Sequence, residues 1–265
     1  MLRQRVLTAL VIGPASLLLL FLLGGGWYAG FVGLIVVGAA WEWSNLAGRE
    51  QPRDKALFAV SMLAAMALAW SSGIAHQSWP LWLALIGWLL CLYWVVRYPQ
   101  ATWQWEGVGM RLAMGVWVLL PCWVGFLLLR EQPLWLLYVL FVVWGADIAA
   151  YFAGRAFGNR RLAPRVSPGK SWAGVYGALA GSAVLALLMA WWQGFDAIHL
   201  VVLLIVTAIV TAASILGDLC ESMLKRHRGI KDSGQLLPGH GGLLDRIDSL
   251  TAAVPLFALL APWIG

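Results

Sequence analysis

Asp245 and Asp248 stand three residues apart in Asp245-Arg246-Ile247-Asp248, and Asp218 lies upstream in Gly217-Asp218-Leu219. At i and i+3 two carboxylates share one helix face, and a helix N-terminus keeps them ionised. Joined by a third carboxylate from the end of a neighbouring helix, they can converge on a divalent cation. Hard oxygen ligands of this kind suit Mg²⁺, which keeps waters and shares substrate phosphates. Between these acids runs a stretch with Lys225, Arg226, Arg228 and Lys231 beside Gly239-His240-Gly241-Gly242. Glycines let backbone N–H groups approach an anion closely. Carboxylates, bases and glycines gathered in one stretch make a site for a phosphorylated ligand. The plainer reading of Asp245 and Asp248, as helix caps paired with Arg246, fits poorly in a chain with just 12 acidic residues.

The theme recurs in Ser167-Pro168-Gly169-Lys170-Ser171. This is not a Walker A loop, because the spacing and the flanking strand are missing. Arg160, Arg161 and Arg165 nearby serve equally as a topology signal or as attraction for anionic headgroups. Asp147 falls inside an apolar block, where an ionisable group needs a partner or a polar cavity. Glu42, between Trp41 and Trp43, reads either as a surface anchor or as a carboxylate lining the site. Glu50, Asp54, Glu106, Glu131 and Asp196 read as solvated charges of loops and interfaces.

The elements that must position these groups are membrane helices. The chain has 265 residues, 62% of them hydrophobic, with mean hydropathy +0.80 and 11% charged residues, against about 25% in a soluble domain. That excludes a soluble enzyme, a disordered protein and a free nucleic-acid-binding domain, despite a formal charge of +6. Leu, Val and Ala blocks and 18 Trp fit helices rather than a barrel. Cys91, Cys122 and Cys220 are spaced for neither a disulfide framework nor a zinc site.

About nine apolar blocks approach the length of a crossing helix: 6–23, 27–43, 56–75, 79–96, 112–129, 134–153, 173–192, 198–216 and a last one ending at Ile264. The first is not a signal peptide, since no cleavage site follows and Gly24-Gly25-Gly26 reads as a turn. Residues 249–264 are short for a crossing, so the last helix is expected to start near Leu243. With these spans, all of the 18 Lys and Arg except Arg130 fall on one face. The positive-inside rule then puts the N-terminus in the cytoplasm and the C-terminus in the periplasm. The reading is an all-α polytopic membrane protein, one structural domain, with five spans in residues 1–130 and four in 131–265. Its long cytoplasmic loops, 154–172 and 217–242, carry the chemistry.

The run from Ser222 to Asp248, S-M-L-K-R-x4-K-D-S-G-x-L-L-P-G-H-G-G-x-L-D-R-I-D, resembles the signature of the phosphatidate cytidylyltransferases, or CDP-diacylglycerol synthases. Upstream, Asp147-x3-Tyr151-Phe152-x-Gly154-Arg155-x-Phe157-Gly158 and Ser167-Pro168-x-Lys170-Ser171-Trp172 are similar to a second block of that family. The likeness is close from Trp144 onward, while the earlier spans match in hydrophobicity alone. Gly169 departs from it, where the family often carries Lys. The resemblance implies transfer of a cytidylyl group from CTP to phosphatidate, releasing pyrophosphate, at the inner face of a bacterial cytoplasmic membrane. It implies Mg²⁺ on Asp218, Asp245 and Asp248, with K⁺ as an ion that can share the site, and a homodimer.

On that reading the lipid phosphate is the nucleophile. A phosphomonoester has a second pKa near about 6 and needs no strong base. Lys225, Arg226, Lys231 and Arg246 would neutralise triphosphate and phosphatidate. Gly239, His240, Gly241 and Gly242 would close over the phosphates, and Lys170 and Ser171 would join the nucleotide's surroundings. His240 either donates to a phosphate or serves the turn, and Ser222 either bonds a phosphate or caps a helix. Two rivals remain at this stage: the same chemistry on another lipid phosphate, such as an isoprenoid one, and a cation-coupled transporter.

Overall fold

The computed structural model describes residues 14–237, 239 and 241–264. Arg3, Arg5, the first part of the first predicted span, and His240 lie outside the described residues. Helix α1 covers 14–22. It is followed by α2 (Gly25–Leu46), α3 (Pro52–Ser71), α4 (Trp79–Val96), α5 (Val108–Arg130) and α6 (Pro133–Phe157). An antiparallel hairpin, β1 (Arg161–Ala163) and β2 (Ser167–Ser171), leads to α7 (Trp172–Gln193), α8 (Ala197–Arg228) and α9 (Asp248–Leu260).

Local chemistry sets the boundaries. Pro52 and Pro133 open α3 and α6, where a missing N–H does no harm. The Ser171 side chain accepts the Gly174 N–H at 3.2 Å and the Asp196 side chain accepts that of His199 at 2.9 Å, capping α7 and α8. Gly194 and Gly229, both at φ 67°, end the same two helices in the left-handed conformation.

Seven of the described helices, α2 to α8, are long and apolar enough to cross a membrane. Among the described residues, the expected count of about nine changes at the C-terminal end. The first block lies partly outside the described residues. The last one does not start as a helix near Leu243: Leu244–Arg246 form a 3₁₀ turn, and α9 has 13 residues, about 20 Å at the usual rise. Helix α9 is interior structure, with Ala252, Ala253, Val254 and Phe257 buried. It packs between α5 and α8. At Gly125 of α5 an added Cβ would lie 2.9 Å from the Pro255 Cα, so the two backbones touch.

The second long loop is also shorter than expected. Helix α8 continues through Arg228, and the Glu221–Lys225 ion pair at i, i+4 spans its added turns. Asp218, Ser222 and Lys225 are thus helical residues.

The basic loops meet at one end of the bundle. Arg228 bonds the Asn45 carbonyl at 3.2 Å and pairs with Glu50. Arg111 bonds the Leu46 carbonyl at 3.0 Å, Arg226 bonds that of Val166 at 3.2 Å, and the Trp105 and His227 rings lie 5.0 Å apart. Arg130, at the far end of α5, instead reaches the Leu23 carbonyl at 2.9 Å. This end-to-end separation matches the alternation in the sequence. Between the two ends, Leu57, Leu63, Leu83, Ile86, Leu187 and Leu188 are exposed, a surface suited to lipid rather than water. Cys91, Cys122 and Cys220 are free thiols in the interior.

Candidate active site

The site is built where α8 crosses α9. A Cβ at Gly217 would collide with the Asp248 carbonyl oxygen, so glycine sets this close approach. The contact brings Asp218 beside Asp248 at the start of α9, close enough for their charges to act on each other. One turn along α8, Glu221 is 2% exposed, and its carboxyl lies close enough to Asp248 for their charges to act on each other. Lys225 lies 3.3 Å from Glu221 Oε2 as an ion pair, yet neither Glu221 oxygen receives an aligned hydrogen bond from a donor. Three buried or half-buried carboxyls thus share one crossing.

Two lysines supply the balancing charge. Lys170 Nζ, on β2, sits 2.7 Å from Asp218 Oδ2, and Lys225 Nζ sits 2.7 Å from Asp245 Oδ1. Ser222 donates to Asp218 Oδ1 at 3.1 Å from within α8, a position inside the helix rather than at its cap. Asp245 also accepts the N–H groups of Gly242 at 3.0 Å and Ser233 at 3.1 Å. Burial pushes the Asp245 carboxyl up, but Lys225 and these N–H groups outweigh it and hold it below the usual carboxylate range. It is ionised at neutral pH.

The glycine-rich segment therefore does bind anions, but those it holds here are the protein's own carboxyls. Gly239 and Gly241 turn the chain at φ 79° and 85°, and Leu237 N–H bonds the Gly241 carbonyl at 3.1 Å. The Gly242 and Ser233 N–H groups go to Asp245, and those of Leu236 and Leu244 go to Glu42. Arg226 is fastened to the hairpin through Val166, while Lys231 and Arg246 are exposed.

On the other side of Asp218 opens a cavity of about 520 Å³ between α6, the hairpin, α7 and α8. Asp147, Tyr151, Arg155, Arg161, Lys170 and Asp218 line it, and its size is that of a small-molecule site. Asp147, which on sequence needs a partner or a polar cavity, lines this one. Ser171 also lines it, but its hydroxyl oxygen is used as the α7 cap. Sequence reasoning missed Arg155 and Arg161 as lining bases. Both count among the positive-inside residues, and the hairpin that brings the exposed Arg161 to the cavity's edge leaves no strand pattern around Pro168-Gly169. Lys170→Met is expected to lower turnover about tenfold to a hundredfold, measured as kcat and KM in the purified protein. Unchanged kinetics would remove the cavity from the account.

The donor set fits a hard divalent cation in chemistry. Every candidate ligand is a carboxyl oxygen, and the buried Glu221 oxygens lack a hydrogen-bond donor. As they stand, Asp218, Asp245 and Asp248 do not meet at one point. Among the described residues no group of three or more His, Cys, Asp or Glu side chains is arranged around an ion. The physical reason is Asp245, which is turned to Lys225 and two backbone N–H groups.

Residues 3–263 match the model of the Cytidylyltransferase family. The chain is 49% identical over 264 residues to the phosphatidate cytidylyltransferase of Pseudomonas aeruginosa, covering 98% of this chain and 97% of that one. It is 40% identical over 282 residues to the protein of that name from Haemophilus influenzae, covering 97% and 98%. Against that of Brucella suis it is 36% identical over 269 residues, covering 97% and 92%.

Proposed function

The chain belongs to the cytidylyltransferase family, and on that premise we propose that it transfers the cytidylyl group of CTP to phosphatidate, giving CDP-diacylglycerol and pyrophosphate. The observation that carries this reading is the cavity on the Asp218 side of the α8–α9 crossing, with Arg155, Arg161 and Lys170 among its lining residues. It offers cations to a polyanion beside carboxyls suited to a metal ion.

An ionised phosphate oxygen of the lipid attacks the α-phosphorus of CTP. A bond forms between them as the α–β phosphoanhydride bond breaks, and pyrophosphate leaves. No strong base is required, so the protein's task is electrostatic. Lys170 and Lys225 are held by carboxylates at 2.7 Å, and an arriving polyanion competes for both ammonium groups. Lys225 moving to a phosphate releases Asp245, and Lys170 doing so releases an oxygen of Asp218. Arg155 and Arg161 hold the phosphates in the cavity, and Arg226, Lys231 and Arg246 neutralise charge on triphosphate and phosphatidate. Asp218, Asp248 and the released Asp245 would hold Mg²⁺, with K⁺ able to share the site. Bound there, the ion would stabilise negative charge on the transferring and leaving phosphates.

The chain sits in a bacterial cytoplasmic membrane with the basic end inward, as a homodimer. Acyl chains stay in the bilayer while the headgroup reaches the carboxyls.

The test uses purified protein with CTP labelled at the α-phosphate and phosphatidate in mixed micelles. Label passes into the lipid phase with Mg²⁺ and stays in the aqueous phase with chelator present. Label that remains aqueous at all Mg²⁺ concentrations would sink the reading.

A further inference from the structure

The N-terminal helices reach the site through one buried carboxyl that the mechanism above does not use. Glu42, on α2, is 2% exposed. Its Oε2 accepts the Leu244 N–H at 2.8 Å and the Ser233 hydroxyl at 3.3 Å, and its Oε1 accepts the Leu236 N–H at 3.2 Å. One turn along α2, Asn45 Nδ2 donates to the Ser233 carbonyl at 3.0 Å. Ser233 is therefore held on three sides: its hydroxyl by Glu42, its carbonyl by Asn45 and its N–H by Asp245.

The surrounding glycines are shaped to this carboxyl. A Cβ at Gly234 would collide with Glu42 Oε1, and one at Gly242 would lie 2.7 Å from Glu42 Oε2. One turn earlier on α2, Gly38 lets Leu243 pack against the helix, with its Cδ2 2.8 Å from where a Cβ would stand. A carboxyl in a membrane bundle is costly to bury. An apolar side chain would serve for helix packing alone. The partners of Glu42 are all donors from the segment that carries the glycines.

We propose that Glu42 is a positioning residue for cytidylyl transfer. It orders residues 233–237 and 241–244 so that Ser233 and Gly242 direct their N–H groups at Asp245, which holds the Lys225 ammonium until a phosphate takes it. The inference deepens the proposed function, and its catalytic half rests on that reading.

Glu42→Gln keeps the shape and one acceptor oxygen but turns an amide N–H toward a donor, releasing one end of the segment. Two readings decide. Amide hydrogen exchange across 233–244 is expected to quicken about tenfold or more, since a hydrogen-bond anchor of the segment is lost. With it, kcat is expected to fall about tenfold while KM for phosphatidate stays within about twofold, the split that marks loss of transition-state positioning rather than of binding. Ser233→Ala, which keeps the N–H to Asp245, is expected to change both by less than about threefold.

Exchange at the wild-type rate in Glu42→Gln would overturn the proposal, and so would a loosened segment with wild-type kcat. Should Glu42→Gln fail to fold, Asn45→Ala, which frees the Ser233 carbonyl, is judged on the same two readings and by the same criteria. If the wild-type chain moves no label from CTP to phosphatidate, the proposed function falls, while the exchange comparison still decides whether Glu42 orders the segment.

Discussion

Asp248→Asn is expected to lower kcat by about 10²- to 10³-fold, the scale of losing one preorganised electrostatic contact to a reacting phosphate, without lowering the melting temperature. Asparagine keeps the volume of aspartate, and its oxygen can still accept the Ser249 N–H, bonded at 2.7 Å in the native chain. What the substitution removes is negative charge at a point shared with Asp218 and Glu221. Asp248 is close enough to Asp218 and to Glu221 for like charges to repel when ionised, so neutralising it relieves the fold. A site that stores repulsion for function becomes more stable when one member is neutralised. Activity and stability should therefore move in opposite directions. Asp218→Asn should behave alike, with a smaller gain in stability because Lys170 already neutralises Asp218. The measurement is kcat at saturating CTP across a Mg²⁺ titration, beside thermal unfolding in detergent. Wild-type turnover in Asp248→Asn at low Mg²⁺ would remove that carboxylate from the site.

Gly217→Ala is expected to abolish most activity by geometry alone. The added methyl would collide with the Asp248 carbonyl oxygen and lie 3.3 Å from the Ser249 Cα, both backbone atoms that no rotamer change can move aside. To relieve the clash α8 and α9 must separate, carrying Asp218 away from Asp248. Overpacking of this kind costs about 1–3 kcal/mol, and a displacement near 1 Å in a catalytic constellation can cost about a hundredfold in rate. Gly30→Ala in α2 is the matched control, because a Cβ there meets nothing within 4 Å. It should leave kcat unchanged and should raise rather than lower the melting temperature, since alanine favours a helix over glycine. Equal behaviour of the two variants would show that the helix crossing does not set the site.

Much of this arrangement was legible before any coordinates. Composition gave the solvent, and the alternation of Lys and Arg gave the ends at which loops meet, because both follow from residue types summed over many positions. The sequence put Asp218, Asp245 and Asp248 together because few acids were available; the structure brings Asp218 beside Asp248 and turns Asp245 to Lys225. What the sequence hid depends on contacts between distant segments. Asp245 and Asp248 share a helix face by spacing, yet a 3₁₀ turn and the pull of Lys225, Ser233 and Gly242 separate their duties. The extension of α8 through Arg228 was obscured by its charged last turns, which read as loop although bases favour a helix C-terminus. Glu42 was left between two readings because its partners lie about two hundred residues away in the chain. Of the glycines that suggest a phosphate cradle, Gly242 makes room for carboxyls of the same chain, and spacing alone does not tell these anions apart.

Carboxylates of α8 and α9 are expected to hold a divalent ion at their crossing. Crystals grown with CTP and Mn²⁺ in place of Mg²⁺ test it directly through anomalous scattering. The account predicts a peak bonded to carboxyl oxygens of Asp218 and Asp248, at about 2.0–2.3 Å for a small hard cation, and lost in Asp248→Asn. A peak elsewhere with these two side chains unliganded, or none in an active crystal, would contradict it.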